Sequence, residues 1–201
     1  MDATPTDEEL VQACQSGDFS AFEVLYKRYQ RPILAYIYQI VRNYDEAGSI
    51  AQDVFLKVFE HVDRFDPTRR FSTWFYTIAR NAAIDYLNAR RRRAFVSFTE
   101  LDRAEGDNVV LNAAAASSVP VEERLAKGEA IEHLDVALAA LPHMYREVIE
   151  LVVFQEHSYE EASQILGGVS LGTLRSRMFH ALKRLRTGLE GVGGVQESDL
   201  L

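Results

Sequence analysis

The chain has 201 residues, 47% of them hydrophobic and 26% charged, with 22 Lys and Arg against 30 Asp and Glu and a formal charge of −8. That usage excludes wholesale disorder and collagen-like repeats, and the length suits one or two modest domains, each able to hold a core. The longest apolar run, ILAYIYQIV, is nine residues with a glutamine inside it, against roughly 20 for a bilayer crossing, so no direct membrane insertion is expected. The acidic start MDATPTDEELV lacks a basic segment followed by an apolar block, which makes the cytoplasm the expected location. The single cysteine, Cys14, has no thiol or histidine at ligand spacing and is expected to be a packed free thiol.

Helical periodicity runs through the sequence and strand alternation is nearly absent, which predicts an all-α chain of two small helical domains joined by a linker. Thr6 and Glu9 form a capping box before a first short helix that Gly17 can close. Asp18 is placed to cap a longer segment from Phe19. Pro32 removes a backbone donor within that segment, so a split or kink is expected near Tyr29 to Arg31. A helix from about Asp45 to Val62 follows, with Ile50, Val54, Phe55, Val58 and Phe59 spaced for one buried face. After Asp66-Pro67 another runs from about Ser72 to Arg92, its core stripe made by Phe75, Ile78, Ala79, Ala82 and Tyr86.

The pattern dissolves over residues 94–119, read as an acidic linker between a first domain at 1–93 and a second at 120–190. Helicity resumes near Val121 through Ile131, Leu134, Leu138 and Leu141, and Pro142 is placed to open the next helix. Ser158 and Glu161 make a second capping box, starting a short helix that ends at Gly167-Gly168. Ser170 caps a final helix to about Leu189, and 191–201 reads as a loose tail.

Charge is organised in blocks. Residues 1–63 carry 5 basic and 11 acidic groups, 64–93 carry 8 and 2, 94–161 carry 4 and 14, and 162–201 carry 5 and 3. Both basic blocks lie on helical patterns inside an acidic protein, which points to a polyanionic partner as well as to plain solvated faces. In the second block SYEEASQIL, GGV and SLGTLRSRMFHALKRLR read as a helix-turn-helix. Leu174, Met178, Ala181, Leu182, Leu185 and Leu189 share one face of its second helix. Gly172, Thr173, Ser176, Phe179, His180 and Lys183 lie opposite, flanked by Arg175 and Arg186 on one shoulder and Arg177 and Arg184 on the other. Small polar groups near a helix start reach base edges, and shoulder cations meet phosphates. Phe179 suits either a thymine methyl or packing on a neighbour.

In the first block Arg90 to Arg93 sit at a helix carboxyl end, where the macrodipole alone favours cations. Trp74, Thr77, Asn81 and Asn88 lie away from the core stripe, after the basic loop of Arg64, Arg69 and Arg70. Flat rings and amides beside arginines serve unpaired bases, although Trp74 equally suits a core position. The five histidines make no ligand pair, and no metal, cofactor or catalytic constellation is expected.

DEELVQACQSGDFSAFEVLYKRYQRPILAYIYQIV, together with DEAGSIAQDVFLKVFEHVDRFDPTRRFSTWFYTIARNAAIDYLNARRRR, resembles region 2 of the bacterial extracytoplasmic-function (ECF) sigma factors of the sigma-70 family. LAALPHMYREVIELVVFQEHSYEEASQILGGVSLGTLRSRMFHALKRLR resembles their region 4. The resemblance implies a transcription initiation factor that binds core RNA polymerase, directs it to −35 and −10 promoter elements and assists melting. It implies docking on the clamp coiled coil of the largest polymerase subunit through Glu46, Gln52, Asp53, Phe55, Leu56 and Phe59, with further contact at the flap. The single-stranded −10 element would meet Arg69, Arg70, Trp74, Thr77, Arg80, Asn81, Asn88, Arg90 and Arg91. Duplex −35 DNA would meet Ser170, Thr173, Arg175, Ser176, Arg177, Phe179, His180, Lys183 and Arg184. An anti-sigma factor is a further implied partner. Relatives commonly carry acidic residues where Gly48 and Ser49 stand, and arginine at His180. Two rivals stay open at this point: a helix-turn-helix regulator acting without polymerase, and a sigma-like decoy that only holds an anti-sigma factor.

Overall fold

The computed structural model describes the backbone of residues 4–101 and 129–192, with side chains at 4–93 and 134–189. Among the described residues there are eight α-helices and no strand. The first four are α1 (Asp7–Gln15), α2 (Ser20–Val41), α3 (Tyr44–His61) and α4 (Phe71–Leu101), with a 3₁₀ turn at Val62–Arg64. The remaining four are α5 (Glu129–Ala140), α6 (His143–Ile149), α7 (Tyr159–Ile165) and α8 (Leu171–Val192), with a π-helical turn at Glu150–Phe154. The helix expected from Val121 begins outside the described residues, as do most of the linker and tail.

Local chemistry starts the helices where it was expected to. Thr6 accepts from the Glu9 N–H at 3.2 Å while Glu9 Oε2 accepts from the Thr6 N–H at 2.8 Å, closing the first capping box. The cap expected at Asp18 is displaced: Phe19 is the N-cap of α2 and makes no side-chain cap bond, while Asp18, one position earlier, accepts from the Ser20 N–H through Oδ1 at 3.0 Å. Asn43 caps α3 by accepting from the Glu46 N–H at 3.0 Å.

Of the split or kink expected at Pro32, the split does not occur: α2 runs as one helix from Ser20 to Val41 with Pro32 inside it. A proline inside a helix costs about 3 kcal/mol. Tyr29, Ile33, Tyr36, Ile37 and Ile40, all buried along one side, offset it at about 1.5–3 kcal/mol for each large apolar side chain. Around them an aromatic cluster ties α2, α3 and α4 together. Phe75 packs against Tyr29 at 5.2 Å, Phe55 at 5.0 Å and Phe71 at 5.5 Å between ring centroids. Phe59 departs from its expected burial and is 40% exposed, because it lies about 110° around α3 from the centre of the buried face. Helix α4 also continues beyond Arg92 to Leu101, into the segment read as linker. Cys14 is buried and free, and burial raises its thiol pKa.

Gly48 lies within α3, and a methyl group added there meets nothing within 4 Å. Gly48→Ala should therefore raise unfolding stability by about 0.5–1 kcal/mol, read from the denaturant midpoint.

In the second half, Pro142 stands just outside α6 as its N-cap rather than as its first helical residue. The Ser158–Glu161 capping box forms, and Gly167 and Gly168 take φ of 81° and 84°, the left-handed pair that ends α7. Ser163 Oγ donates to the Val169 carbonyl at 2.7 Å across this turn, fixing the entry to α8. Helix α8 buries Leu174, Met178, Ala181 and Leu185. Leu182, expected with them, is 50% exposed because it lies about 70° from the centre of that stripe.

Candidate nucleic-acid interface

Two outward helix faces carry the residues singled out for DNA. On α4, Trp74, Thr77, Asn81 and Asn88 fall within about 60° of arc, opposite the buried side of Phe71, Phe75, Ala79 and Ala83, and the exposed Arg70 immediately precedes the helix. Asn81, Asn88, Arg90 and Arg91 are exposed, and Arg69 is exposed with its Nε 3.7 Å from Asp66 Oδ2. Trp74 combines the two roles left open for it: one side packs on Phe65 and Phe71, at 5.1 and 5.9 Å between ring centroids, and the residue stays half-buried. Its indole is thus held in place with part of its surface accessible. Thr77 is half-buried, and its hydroxyl donates back to the Thr73 carbonyl at 2.7 Å.

The outer face of α8 is open over Thr173, Arg175, Ser176, Phe179, His180, Lys183 and Arg184. Ser170 Oγ accepts from the Thr173 N–H at 3.2 Å and caps the helix at the end that carries the small polar groups. The shoulders are braced by rings: Arg175 lies 5.9 Å from the Tyr159 ring centroid and Arg184 5.4 Å from that of Tyr145. Arg177 is half-buried. Phe179 is 65% exposed, with only His180 as a ring neighbour among the described residues, which removes the packing alternative.

A third surface lies on α3. Gln52, Asp53, Leu56 and Phe59 are exposed, whereas Phe55 is 7% exposed and lies beneath them in the core. Glu46 is half-buried and accepts a hydrogen bond from Tyr86 on α4, which contributes to raising that phenol's pKa after burial itself. Phe19 and Tyr26, missed by sequence reasoning, extend the surface at 63% and 43% exposure; Phe19 meets Phe59 at 5.7 Å between ring centroids. Apolar residues at helical spacing read as core, so only unburied packing could have identified them.

The two halves of the chain also touch, through groups that sequence reasoning did not pair. Arg80 Nε donates to Glu147 Oε1 at 2.8 Å, and Arg70 Nε lies 3.0 Å from Glu161 Oε1. The Tyr76 hydroxyl donates to Gln155 Oε1, whose amide donates in turn to Glu150 Oε1 at 3.0 Å. Burial raises the Glu150 carboxyl pKa and lowers the pKa of His143 and His157 beside this contact. Burial would likewise raise Glu161, but its bonds to Ser158 and the nearby Arg70 outweigh that and hold it below the usual carboxylate range. Among the described residues no cluster of three or more His, Cys, Asp or Glu is placed to hold a metal ion, and no helix is long and apolar enough to cross a membrane.

Residues 25–93 match the sigma-70 region 2 family and residues 131–185 the sigma-70 region 4 family. Over 187 residues the chain is 31% identical to the RNA polymerase sigma-H factor of Pseudomonas aeruginosa, covering 92% of this chain and 94% of that one. It is 32% identical over 176 residues to the ECF RNA polymerase sigma-E factor of Escherichia coli, covering 88% and 90%. The chain belongs to the ECF sigma factors of the sigma-70 family. Its fold is that of CnrH, solved with the cytosolic domain of CnrY, at a TM-score of 0.65 and 22% identity over 93% of this chain and 99% of that one. It also matches the sigma factor RpoE of Bartonella quintana, solved with the anti-sigma factor NepR, at a TM-score of 0.60 and 23% identity over 86% and 98%.

In this ECF sigma factor, region 2 spans most of α2 with α3 and the described side chains of α4, and region 4 runs from α5 into α8. The aromatic and amide face thus belongs to region 2 and the small polar face to region 4.

Proposed function

We propose that this sigma factor joins core RNA polymerase, directs it to a promoter and helps to open the start site, with region 4 on duplex −35 DNA and region 2 on the displaced −10 strand. The observation that carries the reading is the contrast between the two cationic faces. The α8 face sets Thr173 and Ser176 between arginine shoulders, as a major groove requires. The α4 face sets the Trp74 ring and the Asn81 and Asn88 amides beside arginines, which suits single-stranded bases. The aromatic and acidic surface of α3, with Asp53, Leu56, Phe59 and Phe19, serves as the clamp contact, where exposed apolar rings supply area and carboxylates meet basic partners. Phe55 supports that surface from below. An anti-sigma factor would compete for these same faces. The polymerase supplies the chemistry, and this chain supplies no catalytic group.

Reconstituted core polymerase should give promoter-specific transcription only when this chain is added, on a promoter selected with the holoenzyme. Binding to the −35 element should weaken with salt at a log–log slope of about 0.9 for each phosphate contacted, and Arg177→Ala should lower that slope by about one contact. Tight operator binding by the chain alone, with no polymerase-dependent transcription, would establish the independent regulator instead.

A further inference from the structure

Helix α1 carries none of the residues proposed to meet DNA or polymerase, and it lies ahead of residues 25–93, which match region 2. It nevertheless grips both ends of the segment that leads into α4. At the far end, Glu8 Oε1 accepts from the Phe71 N–H at 3.0 Å, 63 residues away along the chain. The first N–H groups of a helix have no partner within it, and the residue before Phe71 is Arg70, whose guanidinium has donors only and cannot accept from them. Glu8 therefore does for α4 what a local Asp or Ser does for other helices, and its charge suits the positive end of the helix dipole.

At the near end, Gln15 Nε2 donates to the Val62 carbonyl at 2.8 Å and to the Phe65 carbonyl at 2.9 Å, using both amide hydrogens. Phe65 is buried, and its ring centroid lies 5.1 Å from that of Trp74 and 5.6 Å from that of Phe71. Glu8 and Gln15 are seven residues apart, which puts them within about 20° of one face and about 10 Å apart along the axis. The helix itself is anchored by the buried Leu10, Val11 and Cys14, and by Asp7, whose carboxylate accepts from Arg28 and Tyr29 of α2. Between the two grips lie Arg69 and Arg70, and Trp74 stands in the first turn of α4.

We propose that Glu8 and Gln15 are positioning residues for promoter opening: Glu8 fixes the first turn of α4 through the Phe71 N–H, and Gln15 fixes the Trp74 ring through Phe65. The proposal rests on the strand-binding reading of α4 given above. Both residues act on the fraction of molecules in which Arg69, Arg70 and Trp74 hold one arrangement, and the apparent affinity for a displaced strand falls with that fraction.

The test uses holoenzyme assembled with the full chain, at a temperature where circular dichroism shows each variant folded, with permanganate footprinting as the measure of opening. Glu8→Ala should lower opening about fivefold, the usual factor for one lost cap. Glu8→Gln keeps an oxygen that accepts the same N–H and should recover most of that loss. Gln15→Ala takes a donor from two carbonyls and should lower opening by a similar factor. In the free chain it should also make Trp74, the single tryptophan, more accessible to quenching by acrylamide. Both alanine variants should bind core polymerase, and a −35 duplex as holoenzyme, within about twofold of the natural chain, because those surfaces lie on other helices. A role in stability alone predicts a different pattern, with opening and polymerase affinity falling together. That parallel loss, full opening in both alanine variants, or no recovery by Glu8→Gln would overturn the proposal. Asn81→Ala measures the underlying reading separately. Loss of opening there, beside full opening in Glu8→Ala and Gln15→Ala, refutes the brace and leaves the reading of α4 standing, whereas full opening in all three removes both.

Discussion

Trp74→Ala should cut promoter opening by about 5- to 150-fold while −35 duplex binding by holoenzyme stays within about twofold, because stacking one base on an aromatic ring contributes about 1–3 kcal/mol. Trp74 also packs on Phe65 and Phe71, so its removal loosens region 2 as well as removing a stacking surface. Two companions separate those effects. Trp74→Phe retains a ring and should recover much of the opening. Asn81→Ala lies at an exposed position and should weaken opening with stability changed by less than about 0.5 kcal/mol. Permanganate footprinting of the melted region reports opening, and a gel shift on a −35 duplex with holoenzyme reports binding. Full opening by both alanine variants, at a temperature where each is folded, would remove α4 from the strand-binding role.

What could be read in advance divides by distance along the chain. Both capping boxes, Thr6 with Glu9 and Ser158 with Glu161, were legible because each pair lies three residues apart and its geometry is local. The left-handed Gly167-Gly168 turn was legible for the same reason. The exposed polar face of α8 was also legible, since helical spacing alone separates Thr173 and Ser176 from the buried Leu174 and Met178. Of the two outcomes left open at Pro32, a split or a kink, only the split is excluded, because the buried residues around it outweigh one lost hydrogen bond and keep α2 continuous. The π-helical turn at Glu150–Phe154 has no signature in the spacing of ELVVF. The pairs between regions were out of reach altogether, for Arg80 and Glu147 are 67 residues apart and Tyr76 and Gln155 are 79. Block charges announced that opposite signs existed in the two halves, but only the packing of α6 against α2 and of α7 against α4 selects which carboxylate meets which arginine. The strand-binding set named from sequence therefore contained two cations, Arg70 and Arg80, that are already engaged within the chain.

Phe75→Ala should destabilise region 2 by about 3–5 kcal/mol, a large share of the roughly 5–15 kcal/mol that holds a domain together. Phe75 is 1% exposed and its ring touches Tyr29 of α2, Phe55 of α3 and Phe71 at the start of α4, so the cavity opens where three helices meet. The chain's single tryptophan, Trp74, is the adjacent residue, so its fluorescence during urea unfolding follows this region in particular. Phe75→Leu keeps more of the volume and should lose less. The functional signature differs from that of Trp74: Phe55 supports the underside of the surface formed by Gln52, Asp53 and Leu56, while Phe71 carries the first turn of α4, the helix proposed to meet the displaced strand. Loss of Phe75 should therefore weaken polymerase binding and promoter opening together and in proportion to the lost stability, whereas loss of Trp74 separates them. A Phe75→Ala protein with an unchanged urea midpoint, or one that loses opening while binding polymerase at full affinity, would mean that the two surfaces are not coupled through this core.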